Sequence, residues 1–72
     1  MATNNTLQIR VNGERRDVAE GLTISEMLGE MGLNPRKVAV ERNLEIVPRS
    51  TLGEVRVEDG DAFEIVHFVG GG

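Results

Sequence analysis

The feature that most constrains the fold of this chain is a hairpin signal followed closely by one amphipathic helix. Leu7, Ile9 and Val11 alternate with Gln8, Arg10 and Asn12. A period of two marks a strand with one buried face. Asn12-Gly13 follows, the dipeptide best suited to the positive φ angles of a type I′ turn. Glu14 to Val18 is more polar and is expected to return antiparallel as an exposed edge strand, its charge blunting further pairing. Thr23-Ile24-Ser25-Glu26 then matches a capping box, in which Thr23 and Glu26 satisfy free amides of a first helical turn. Ile24, Met27, Leu28 and Met31 form one apolar stripe at helical spacing. The two methionines are read as core filling. Gly32 stands where a left-handed C-cap is expected, with Leu33 folding back onto the last turn. Gly29, inside the helix, is read as a mark of close packing, because glycine there is unfavourable by about 1 kcal/mol against alanine. Pro35 keeps the helix from resuming.

The second half reads as strands. Val38 and Val40 alternate with Ala39 and Glu41, giving a third strand. Arg42-Asn43 is expected to turn, with Leu44 to Val47 continuing until Pro48 ends the run. Val55 and Val57 are expected to form a short strand. Asp59-Gly60-Asp61 reads as a turn, since a calcium loop needs more acids at alternate positions. The last strand is Ala62 to Phe68, with Phe63, Ile65 and His67 on one face and Glu64, Val66 and Phe68 on the other. A hairpin, a helical crossover and further strands predict an α+β fold. It has a mixed sheet of four to five strands with one helix packed across it. With the first and last strands adjacent and parallel this is the β-grasp arrangement, although element order alone also fits other α+β folds. We expect one domain over residues 1–69, with 1–6 a loose leader and 70–72 a flexible glycine tail.

Composition removes whole classes of function. The chain has 72 residues and an apolar share of 39%, glycine not counted. A domain of this size buries only about 60% of its unfolded surface, which leaves little room for an enclosed active site. There is no cysteine, hence no disulfide framework, zinc ribbon or thiol nucleophile. One histidine falls short of a conventional metal site. Twelve acids against eight bases give a net charge of −4, which disfavours a nucleic-acid partner. No apolar run approaches the roughly 20 residues that cross a bilayer, and the polar start MATNNT lacks the features of a secretory signal. A cytoplasmic protein, monomeric when free, is expected.

The chain closes with Val69-Gly70-Gly71-Gly72 directly after an apolar strand. At a background of about 7%, three glycines in a row at a given place arise roughly three times in ten thousand. One reading is an inert tail of the kind common at termini. The other is chemical. Glycine, lacking Cβ, lies extended in a narrow channel and lets the backbone approach another protein's catalytic groups. The reactive group is then the carboxylate of Gly72, activated most simply as an acyl-adenylate that a sulfur or amine nucleophile attacks. Val66 and Phe68 point away from the core in this reading and are candidates for a contact patch, with Val69 a further apolar anchor. Scattered exposed apolar residues are equally normal at a surface.

The ordered set Val38-Ala39-Val40-Glu41-Arg42-Asn43, Ile46-Val47-Pro48-Arg49-Ser50, Asp59-Gly60-Asp61 and Glu64 to Gly72 resembles the ThiS family, the ubiquitin-like sulfur carriers of thiamin thiazole synthesis. The resemblance covers residues 7–72. An aromatic residue is common in that family shortly after the position of Ser50, where this chain has Leu52. The resemblance implies that Gly72 is the residue adenylated and converted to a thiocarboxylate, with Gly70 and Gly71 as its arm. It implies a ThiF-like E1-type adenylyltransferase using ATP, a cysteine desulfurase as sulfur source, and a ThiG-like thiazole synthase as acceptor. It also implies that Val66, Phe68 and Val69 face these partners. The chain itself would then be a cosubstrate with no catalytic residue, no metal and no bound cofactor.

Rival readings share the tail. A molybdopterin or tRNA-thiolation carrier uses the same chemistry, but molybdopterin carriers tend to be longer and to have prolines before the tail, and Ile65 to Val69 has none. A ubiquitin-like modifier differs in its final acceptor, and a binding module would leave the tail inert. His67 lacks any evident catalytic partner and reads as a tolerated strand residue. Arg49 fits either contact with a partner's acidic surface or a solvated turn. Arg15-Arg16 and Arg36-Lys37 read as solubilising surface.

Overall fold

A computed structural model of the chain describes residues 5–68. Most of the expected leader (1–4), together with Val69, Gly70, Gly71 and Gly72, lies outside the described residues. Strands β1 (Thr6–Val11) and β2 (Glu14–Ala19) form the antiparallel hairpin, paired from Thr6–Ala19 to Val11–Glu14. β1 thus starts at Thr6, inside the expected leader, and the Glu20 N–H donates to the Asn5 carbonyl. Asn12 and Gly13 adopt φ of 52° and 86°, the two left-handed angles a type I′ turn requires.

Helix α1 (Ile24–Glu30) starts at the capping box. Glu26 N–H donates to Thr23 Oγ1 at 3.1 Å, and Thr23 N–H donates to Glu26 Oε1 at 2.9 Å. Its end is a Schellman motif: Leu33 N–H donates to the Leu28 carbonyl and Gly32 N–H to that of Gly29, with Gly32 at φ 79°. Ile24, Met27 and Leu28 are fully buried, and Met31 packs partly against them. Burying each of the three contributes about 1.5–3 kcal/mol relative to exposure. The remaining strands are β3 (Val38–Arg42), β4 (Glu45–Ile46) and β5 (Ala62–His67). The sheet order is β2-β1-β5-β3-β4, with β5 parallel to β1 and antiparallel to β3. The result is the β-grasp: a mixed five-stranded sheet with α1 packed on one face. No helix among the described residues is long and apolar enough to cross a membrane.

Three local expectations need correction and one, that for Pro35, holds with an addition. Gly29 is exposed, and a Cβ added there meets nothing within 4 Å, so close packing is not its reason. Pro35 does stop the α-helix, but it opens a 3₁₀ turn, Pro35–Lys37, capped by the Asn34 side chain on the Arg36 N–H. The β3–β4 turn is Asn43-Leu44, shifted by one from Arg42-Asn43, because Arg42 is held in the ladder opposite both Phe63 and Glu45. Val55 and Val57 form no strand. The Leu52 and Val55 carbonyls accept from the Ser25 and Ile24 N–H groups, and Val57 N–H donates to Leu22. This stretch therefore serves the unpaired first turn of α1, with a single bridge between Thr23 and Arg56. Leu52 is buried in the core.

Candidate functional site

The candidate site is the outer end of β5. Phe63 and Ile65 face inward and are buried, which fixes β5 against the core and turns Glu64 and Val66 outward. Val66 is 62% exposed and Phe68 56%. The expected outward pair is therefore in place. His67 faces the Phe63 side but is exposed. Val69 and the glycines Gly70 to Gly72 follow directly in sequence and lie outside the described residues.

Three contacts from distant parts of the chain hold this end of β5. Beyond the last paired residue of β1, the Asn12 side chain takes over the pairing. Its Oδ1 accepts from Ile65 N–H at 2.8 Å, and its Nδ2 donates to the Ile65 carbonyl at 3.2 Å. On the other side, Phe68 N–H donates to the Lys37 carbonyl at 3.0 Å, carrying the β3–β5 ladder one step past β5. Arg49 completes the clasp. Its guanidinium lies 5.2 Å from the centre of the Phe68 ring, and Nη2 donates to the Val38 carbonyl at 3.4 Å. A cation over an aromatic face at an exposed site contributes about 0.5–1 kcal/mol. Beyond β4 the side of β3 is open; Val47 N–H takes the Val40 carbonyl there and Arg49 takes that of Val38. Arg49 therefore both blunts a sheet edge and braces Phe68. From sequence Arg49 was open between partner contact and solvated turn; only the fold brings it to Phe68.

Sequence reasoning also missed two exposed apolar residues outside β5, one in the β3–β4 turn near the Ala62 end and one on β4. Leu44 is 89% exposed at the tip of the β3–β4 turn, and Ile46 is 77% exposed on β4. Ala39, Ile46, Val47, Pro48 and Arg49 line a shallow depression where the chain leaves β4 and diverges from β3. The spacing of Ile46 and Pro48 signalled a strand end, but not which face Ile46 would take. At the opposite end of β5, the Asp59–Asp61 turn has its carboxylates occupied. Asp59 Oδ1 accepts from Gln8 N–H at 2.8 Å and Asp61 Oδ2 from Glu58 N–H at 2.9 Å. Arg42 Nε lies 3.4 Å from Asp61 Oδ2.

Comparisons with known proteins agree with this architecture. A model of the ThiS family matches residues 9–72. A thiazole synthase of Paramagnetospirillum magneticum is 53% identical over 66 residues, which is 92% of this chain and 20% of that protein. The chain thus spans about a fifth of the length of that relative. The sulfur carrier protein ThiS of Bacillus subtilis is 48% identical over 50 residues, covering 69% of this chain and 76% of that one. Among solved structures, the thiamine biosynthesis protein ThiS of Geobacter metallireducens superposes with a TM-score of 0.78 at 36% identity, over 92% of this chain and 100% of that one. The sheet order, the outward pair on β5 and the glycine-rich end thus sit in one matched framework, and the chain belongs to the ThiS family.

Proposed function

We propose that the chain is a sulfur carrier for thiazole formation in thiamin biosynthesis, acting in the cytoplasm as a cosubstrate of partner enzymes. The observation that carries this reading is β5. Its inner face is locked into the core while Val66 and Phe68 stay exposed, immediately before Val69 and the glycine run. In this reading the Gly72 carboxylate attacks the α-phosphorus of ATP on a ThiF-like adenylyltransferase and releases pyrophosphate. A persulfide supplied through a cysteine desulfurase then attacks the acyl carbon, and AMP leaves. A thiol reductant cleaves the S–S bond of the resulting acyl disulfide and leaves a thiocarboxylate at Gly72; on a ThiG-like thiazole synthase its sulfur bonds to the substrate, and an oxygen nucleophile, water or a substrate hydroxyl, displaces it at the acyl carbon and regenerates the carboxylate. Gly70 and Gly71 act as a thin arm, since glycine has no Cβ to obstruct a narrow channel. The body of the domain supplies docking and contributes no catalytic side chain.

The test is intact mass after incubation with a ThiF-type enzyme, ATP, cysteine, a desulfurase and a reductant. The expected result is a gain equal to the exchange of one oxygen for sulfur, absent when Gly71 and Gly72 are deleted. No gain with partners shown to be active on another carrier refutes the carrier reading. An isopeptide-linked product in cell extract would instead support a protein modifier.

A further inference from the structure

Asn12 is tied to β5 by three hydrogen bonds. Its N–H donates to the Phe63 carbonyl at 2.8 Å, its Oδ1 accepts from Ile65 N–H at 2.8 Å, and its Nδ2 donates to the Ile65 carbonyl at 3.2 Å. The next residue is Gly13. An asparagine before glycine carries a latent reaction, because no side chain shields the glycine nitrogen from the asparagine Cγ. Of the five asparagines in the chain, Asn12 alone precedes a glycine. Asn34 precedes a proline, which has no N–H to lose. Asn43 supplies an internal comparison. Its φ is 51° against 52° for Asn12, and its amide is likewise held twice, by Ala62 N–H at 3.0 Å and by Asp61 Oδ1 at 3.1 Å. What differs is the residue that follows, Leu44. Asn12 is exposed, so burial does not keep water from it. The two bonds to Ile65 are what commit its amide to β5.

We propose that Asn12 is a modification site, at which the chain deamidates itself once local opening frees the end of β5. The Gly13 amide nitrogen gives its proton to hydroxide and attacks Asn12 Cγ. The Cγ–Nδ2 bond breaks, and ammonia leaves with a proton taken from water. The five-membered imide then adds water at one of its two carbonyl carbons. Opening on one side leaves aspartate at position 12; opening on the other leaves isoaspartate, with the main chain running through Cγ. The sum exchanges water for ammonia and needs no enzyme, oxidant or reductant. In the folded chain the amide must first drop both bonds to Ile65, and two ordinary hydrogen bonds lower the share of free amides by about thirtyfold. Either product opposes the clasp that had protected Asn12. A carboxylate still accepts from Ile65 N–H, but it sets a charged oxygen against the Ile65 carbonyl, where Nδ2 donates in the intact chain. Isoaspartate also adds a backbone atom to a turn that depends on two left-handed angles. Opening thus frees the amide, and the product resists closing again. The reaction adds a negative charge to a chain already at −4 and marks molecules in which the strand end carrying Val66 and Phe68 has come loose. It is independent of the carrier reading.

The test incubates the full chain in mildly alkaline buffer, folded and in guanidinium chloride, and follows the tryptic fragments 11–15 and 43–49 by mass over time. In the denaturant, fragment 11–15 is expected to gain the difference between OH and NH₂, faster as the pH rises. In the folded chain the same gain should be slower by at least about tenfold, and fragment 43–49 should stay unchanged in both. Asp59-Gly60 can close the same ring, but with no change of mass, so the gain reads Asn12. The modified chain, separated from the intact one by anion exchange, is expected to melt about 4–8 °C lower, because a repulsion has replaced one hydrogen bond to β5. Asn12→Asp should show a fall of the same size. Asn12→Gly, which keeps the turn and removes both side-chain bonds, serves if aspartate prevents folding and should also melt below the wild type. Equal rates in the folded and unfolded chain, no gain in the denaturant, an equal gain at Asn43, or a modified chain that melts with the wild type would each overturn the proposal.

Discussion

Asp61 is the buried charged residue among the described side chains, 4% exposed, and its replacement by asparagine tests what holds β5 in place. Both carboxylate oxygens are in use. Oδ2 accepts from Glu58 N–H at 2.9 Å and lies 3.4 Å from Arg42 Nε, while Oδ1 accepts from Asn43 Nδ2 at 3.1 Å. An amide in its place offers one acceptor and one donor. Turned one way, its NH₂ meets Glu58 N–H and Arg42; turned the other, it meets Asn43. Asn43 cannot flip to help, because its Oδ1 accepts from Ala62 N–H at 3.0 Å. One hydrogen bond to a charged group is therefore lost in either orientation, at about 1.5–3 kcal/mol. The Arg42 pair is lost as well. With the Arg42 side chain 25% exposed, water recovers part of that term, and we place the total near 3 kcal/mol, at the low end for a broken buried pair. A domain of this size loses about 4–8 °C per kcal/mol, so Tm should fall by roughly 12–24 °C. Urea unfolding followed by circular dichroism measures the change. A loss below about 1 kcal/mol would refute the reasoning, because it would mean the donors around Asp61 find water instead. A cycle with Arg42→Met supplies the second check. If the pair acts as described, adding Asp61→Asn to Arg42→Met costs clearly less than it does in the wild type.

Two further substitutions should stabilise the chain. Gly29→Ala adds a methyl group in open space on a helix interior and is expected to raise stability by about 1 kcal/mol, read as a shift of the urea midpoint at constant m-value; a neutral or negative result would show a hidden requirement for glycine. Leu44 sits at φ 72° with its side chain in solvent, a conformation unfavourable by about 1–2 kcal/mol for such a residue. Leu44→Asn should recover about half to one of those kcal/mol, and an unchanged Tm would mean that Leu44 makes contacts that compensate its backbone.

What could be read from the sequence divides along the range of the interactions. The β1–β2 turn, the capping box and the helix end were legible because each is determined within a few residues: two left-handed angles at Asn12-Gly13, a reciprocal pair at Thr23 and Glu26, a left-handed glycine at Gly32. The Val55–Val57 strand failed for the opposite reason. Two valines at alternating spacing cannot reveal that the carbonyl groups around them are claimed by a helix start some 30 residues earlier. The β3–β4 turn slipped by one residue because its position is fixed from Asp61 and Ala62, through hydrogen bonds that span 18 and 19 residues.

The candidate site follows the same division. Val66 and Phe68 were legible because β5 is long enough for its alternation to show. Ile46 was not, because the two-residue strand β4 has no period to read. The glycine run stands plainly in the composition, but the direction in which β5 delivers the chain to it does not. Asn12 grips Ile65 across 53 positions of sequence, Lys37 accepts from Phe68, and Arg49 covers the Phe68 ring. Asn12 and Arg49 draw notice in the sequence for other reasons, and neither type nor spacing shows these contacts. The end of β5 up to Phe68 is thus held by side chains contributed by the first hairpin and by the loop after β4, which is why the exposed pair is legible in β5 alone while what fixes it in place requires the whole fold.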